Sequence, residues 1–127
     1  MRFMMLMIPN IDVDSYGPTP EAVAAMTKYN QELTKAGVLL SLDGLHGPNE
    51  AARITFGGAA PSVTDGPFTE AKEFIGGFWM IQAKSREEAI EWARRCPAAA
   101  GDVIELRQVM ELSDFPEEVR AAAGLTE

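Results

Sequence analysis

Few side chains in this sequence can do chemistry at neutral pH, and the first is its single histidine, His46. Histidine alone among the side chains has an unperturbed pKa near neutrality, so it can take a proton from one atom and return it to another. His46 stands in the glycine-flanked loop Gly44-Leu45-His46-Gly47-Pro48-Asn49. A turn aspartate, Asp65, lies at the far end of the segment that follows. If residues 50 to 64 pair as a hairpin, the His46 loop and the Asp65 turn meet at its base. Asp65 would then accept a hydrogen bond from one ring nitrogen while the other moves a substrate proton, as in a lyase or isomerase. The plainer reading makes Asp65 an Asx-turn residue and His46 a packing residue of the loop or of a dimer interface.

Around this pair, Arg53 and Lys72 could hold an anionic substrate, and Glu70 or Glu73 could supply a second acid-base group. Charged residues beside a turn are mostly just solvated. Phe68, Phe78 and Trp79 could line an apolar ligand pocket, although aromatics on a central strand generally belong to a core or an interface. Cys96, the only cysteine, falls on the inner face of a helix and reads as a small buried hydrophobe. A metal is not expected, because Asp43-x-x-His46 offers two ligands at most. No phosphate-cradling loop and no nucleophile elbow occurs, so no cofactor is implied.

The elements that must position these residues follow from periodicity. Residues 2–9 are apolar at both alternating sets, Phe3, Met5, Met7 and Met4, Leu6, Ile8, which predicts a strand covered on both faces. Thr19-Pro20-Glu21 supplies a cap, a first-turn proline and a first-turn acid. The helix they open runs over 20–36, with Val23, Met26, Tyr29 or Asn30, Leu33 and Ala36 inward and Gly37 as terminator. Val38–Leu42 is a second strand. Residues 52–56 alternate as a half-exposed strand that pairs with 62–64. Residues 73–83 again read as a central strand, with Gly76-Gly77 marking a bulge or close approach and Phe78 and Trp79 on opposite faces. Ser85-Arg86-Glu87-Glu88 is a capping box for a second helix bearing Ala89, Trp92, Ala93 and Cys96 inward until Pro97. Val103–Leu112 closes the sheet, with Ile104, Leu106, Met110 and Leu112 inward.

The order is an α+β, ferredoxin-like βαββαβ core with an inserted hairpin. Its domain spans residues 1–115, and 116–127 form a charged C-terminal tail. Two helices shelter one face of such a sheet. The other face would expose an apolar patch larger than monomers usually carry, and a two-fold homodimer is the simplest remedy. The alternative has the hairpin and tail fold back over it.

Residues 64–73, Thr-Asp-Gly-Pro-Phe-Thr-Glu-Ala-Lys-Glu, followed by Gly76-Gly77 and an aromatic strand, resemble the signature of the YCII-related family, in its DGPF branch. Leu45-His46-Gly47-Pro48 and Glu88-Ala89-Ile90-Glu91-Trp92-Ala93 also look like this branch. The resemblance spans about residues 1–115. Here Thr69 and Ala71 flank the motif glutamate, where the common pattern has alanine and threonine. The resemblance implies a ferredoxin-like dimeric α/β barrel and little about chemistry. Shorter members are thought to use a His-Asp pair whose histidine lies in the first helix. The 20–36 helix here has no histidine, so that pair does not transfer by position.

Bulk composition narrows the partners. With 11 Lys plus Arg against 19 Asp plus Glu, the net charge of -8 repels polyanions, and nucleic acid is not an expected partner. The apolar run of residues 2–9 is too short to span a bilayer and lacks a cleavage-site pattern, so no membrane partner is expected. A lone cysteine without a signal peptide points to the reducing cytoplasm. The partners that remain are a second copy of the chain and a small-molecule ligand.

Overall fold

The computed structural model describes residues 1–12, 15, 17–66 and 73–124. The elements run β1 (Arg2–Ile8), α1 (Pro20–Lys35), β2 (Leu39–Gly44), β3 (Ala52–Thr55), β4 (Ser62–Asp65), β5 (Gly77–Gln82), α2 (Arg86–Arg94), β6 (Val103–Gln108) and α3 (Glu117–Ala122), with 3-10 turns at Pro48–Glu50 and Leu112–Asp114. Four strands form an antiparallel sheet in the order β2-β5-β1-β6, and β3 and β4 form a separate two-stranded sheet. This is the ferredoxin-like arrangement with an inserted hairpin.

Local chemistry sets both long helices. The Thr19 hydroxyl accepts from the Ala22 amide at 3.2 Å to open α1, and Gly37 follows its end with a φ of 71°. The Ser85 hydroxyl accepts from the Glu88 amide at 3.1 Å to open α2. The Glu88 carboxylate reaches back to the Lys84 amide at 3.1 Å, one residue short of the Ser85 amide that a full capping box would satisfy.

One face of the sheet is the core. Phe3 and Met5 of β1, Trp79 and Ile81 of β5, Tyr29 and Leu33 of α1 and Ala89 of α2 are all buried in one cluster. Ile104, Leu106, Trp92, Ala93 and Cys96 pack at its margin. Pairing register places Met4, Leu6, Ile8, Phe78 and Met80 on the opposite face. All five are half-buried, and none belongs to the core cluster.

Several boundaries differ from the periodicity. The central strand starts at Gly77 rather than at residue 73: Gly76 still bonds both flanks, its amide donating to Met7 and its carbonyl accepting from Leu45, and residues 73–75 lie outside the strand. The last strand ends at Gln108, so Met110 is 58% exposed and Leu112 sits in a 3-10 turn instead of facing inward. The hairpin is exposed along both strands rather than half-buried, with Ile54 at 52%, Phe56 at 77% and Val63 at 67% accessibility. It stands off the body and does not fold back over the sheet.

Candidate functional site

The site begins with three glycines. Gly44 and Gly77 face each other across β2 and β5 on the helix-covered side, in register with Met7 of β1, and Gly76 precedes them. Without side chains there, the sheet stops filling the space beneath the first turns of α1. What remains is a cavity of about 310 Å³, walled by Met7, Val23, Met26, Leu42 and Trp79, with Pro18 at its mouth. That volume is at the small end of the range for organic ligands. The two glycines are not equivalent. A Cβ on Gly77 would stand 2.9 Å from the Asp43 carbonyl oxygen, so the close strand approach requires glycine, whereas a Cβ on Gly44 would meet nothing within 4 Å.

The polar groups at the cavity are few and fixed. Trp79 donates its indole Nε1–H to Asn30 Oδ1 at 2.8 Å. An edge-on contact with Tyr29, at 6.1 Å and 84° between rings, holds the indole from the other side. Tyr29 in turn donates its hydroxyl to the Trp92 carbonyl at 2.6 Å, joining the helices. Burial raises the Tyr29 phenol above its ordinary pKa, so it acts as a neutral donor. Asp43 borders the cavity, but strand alternation puts its side chain with Phe78 on the other face of the sheet.

His46 lies next door. An open depression formed by Gly17, Pro18, Gly44, Leu45 and His46 shares Pro18 and Gly44 with the cavity, so the two adjoin at the end of β2. The His46 ring meets a carboxylate, and that carboxylate is Glu50's: Nδ1 is 2.9 Å from Oε2. The Pro48–Glu50 turn brings residues four apart onto one side of the loop. Both side chains are open to solvent, at 89% and 67%.

Asp65 arrives where hairpin pairing would put it. It lies opposite Ala52, and the next amide, Gly66, donates to the Ala51 carbonyl at 2.8 Å, tying the aspartate turn to the end of the His46 loop. Among the described residues no hydrogen bond joins Asp65 to His46. Gly66 is there for space: a Cβ would collide with the Pro48 carbonyl oxygen and lie 3.2 and 3.3 Å from those of Asn49 and Ala51. Arg53 is on the exposed hairpin opposite Thr64 and does not line the cavity. Phe68 and Lys72, together with Glu70, lie outside the described residues. Glu73 lines a separate polar groove with Asn10, Asp12 and Ser15.

Two residues entered the site without a functional signal in the sequence. Glu50 meets the ring through the turn that Pro48 opens, which its position in the chain alone does not give. Asn30 was legible only as an alternative to Tyr29 on the inner face of α1, and its pairing with Trp79 depends on the docking of helix on sheet. Cys96 behaves as its helix position implies: burial pushes its thiol up to about 11, away from the thiolate needed for nucleophilic chemistry. Among the described residues no group of His, Cys, Asp and Glu side chains is placed to hold a metal ion, and no helix is long and apolar enough to cross a membrane.

Compared with known proteins, residues 1–113 match the family model of the YCII-related domain. No curated protein matches the chain.

Proposed function

The chain belongs to the YCII-related family, and from that premise we propose that it is a small-molecule enzyme of lyase or isomerase type, in which His46 moves the proton. The observation that carries this reading is that the apolar cavity under α1 and the depression that holds His46 share Pro18 and Gly44 as walls. A ligand seated in the cavity extends past Pro18 and Gly44 to meet the imidazole. Glu50 accepts from Nδ1–H, which leaves the Nε2 lone pair to take a proton from substrate and hand it back. Asp65, at the adjoining hairpin base, is the second carboxylate proposed for this role.

The enzyme acts as a homodimer in this proposal. Met4, Leu6, Ile8, Phe78 and Met80 form an apolar sheet face turned away from α1 and α2, and a two-fold partner buries it. Such pairing is that of a dimeric α/β barrel.

A noncatalytic metabolite-binding module is the second reading. The 89% exposure of the His46 side chain favours it, since a proton-transfer group gains from exclusion of water. Solvent deuterium exchange separates the two. Small ketones and aldehydes incubated with the protein in D2O are expected to take up deuterium beside the carbonyl, as followed by NMR. His46→Gln is expected to abolish that uptake, and Glu50→Gln and Asp65→Asn report which carboxylate orients the ring. Equal uptake with wild type and His46→Gln would remove His46 from the chemistry.

A further inference from the structure

The cavity says more about its occupant than its size does. A tryptophan indole nitrogen can only donate, so the atom of Asn30 facing Trp79 Nε1 at 2.8 Å must be the carboxamide oxygen. The Asn30 NH2 group is thereby turned the other way. Among the described residues it donates to nothing, and it is not sealed from solvent. Trp79 is 6% exposed and held by Tyr29, so this orientation is built in rather than borrowed from a mobile loop.

The remaining walls are apolar: Met7, Val23, Met26, Leu42 and Trp79. Among the described residues no lysine, arginine or histidine lines the cavity, and the whole chain carries a net charge of -8. A carboxylate would lose its hydration there without an opposite charge to replace it. A neutral molecule with a single acceptor loses far less.

We infer that the cavity takes a compact, neutral carbonyl compound, its apolar body against Met26 and Trp79 and its carbonyl oxygen accepting a hydrogen bond from Asn30 Nδ2. Asn30 is thus a specificity-determining residue. This names the substrate class of the site proposed above and rests on that reading for the proton transfer that follows binding, not for the binding itself.

The test uses three probes of one shape on the full chain: acetophenone, ethylbenzene and benzoate. Binding is read from the indole N–H cross-peaks of Trp79 and Trp92 in two-dimensional NMR. Acetophenone is expected to move the Trp79 peak and to bind about tenfold more tightly than either ethylbenzene or benzoate, the worth of one net hydrogen bond. Asn30→Asp keeps an acceptor for Trp79 and removes the donor, so the preference over ethylbenzene is expected to vanish. Gly44→Val fills the mouth where a Cβ meets nothing, and is expected to weaken all three probes while leaving the Trp79–Asn30 peak in place. His46→Gln is expected to leave acetophenone binding unchanged, so loss of deuterium uptake in that variant, with binding retained, keeps the two proposals apart. Tighter binding of benzoate, a preference that survives Asn30→Asp, or shifts confined to Trp92 would each overturn the inference.

Discussion

The two faces of the main sheet carry side chains of nearly the same kind and meet opposite fates. On one, Phe3, Met5 and Ile81 are at most 1% exposed beneath α1 and α2. On the other, the interleaved Met4, Leu6 and Met80 of the same strands remain half-buried, on the side away from α1 and α2. The lesson is that composition along a strand reports how much cover a sheet demands, not whether its own chain supplies it. The hairpin makes the same point more sharply, since Ile54 and Val63 face each other as a cross-strand pair and are both more than half exposed.

Adjacent substitutions probe that contrast directly. Ile81→Ala is expected to cost roughly 2–5 kcal/mol in urea unfolding, because the residue is fully enclosed. Met80→Ala, one position along, is expected to cost about 1 kcal/mol at micromolar protein, as suits a half-covered side chain. A Met80→Ala penalty that grows with protein concentration would show the second face covered by a second copy. Equal, concentration-independent costs at both positions would erase the difference between the faces.

The next effect in size concerns the hairpin base. Gly66→Val drives a side chain into the Pro48–Ala51 carbonyls and is expected to cost about 1–3 kcal/mol as overpacking. Hydrogen exchange should show the loss first at the Gly66 amide and along β3 and β4, with β1 and β5 still protected. Uniform loss of protection would mean that the hairpin is integral to the core rather than an attachment to it.

The smallest effect is one of pH and belongs to the covered face. Cys96 titrates near 9 in an unfolded chain and is pushed up to about 11 by burial in the native one. The folded state therefore binds the thiol proton more tightly. The stability this gives is complete below pH 9 and is lost as pH rises toward 11. Wild type is expected to lose its advantage over Cys96→Ala across that interval, and Cys96 to resist a thiol reagent at pH 8 until urea unfolds the chain. Rapid labelling of the native protein would place Cys96 outside the shelter of the helices.

Much of this architecture was legible beforehand, for physical reasons that can be named. Thr19 and Ser85 act locally, so their caps could be read from the residues beside them. The alternation of Phe78 and Trp79 across the sheet is a property of any strand and held in the pairing register. The start of the central strand was misplaced because Glu73–Ile75 are suitable for a strand by residue type, yet the pairing with β1 and β2 ends at Gly76-Gly77. The meeting of the His46 loop with the Asp65 turn was readable from the hairpin. The carboxylate actually on the ring was not, because Glu50 depends on the geometry of a turn begun by Pro48. The cavity was invisible in the sequence for a different reason: it is made of missing side chains and the angle of a helix.

That angle and those absences have an evolutionary consequence. One glycine of the facing pair is pinned by its neighbour strand, while the other borders empty room. The chamber can thus be narrowed a methyl at a time from a single codon, while the close strand approach that the other glycine permits stays as it is.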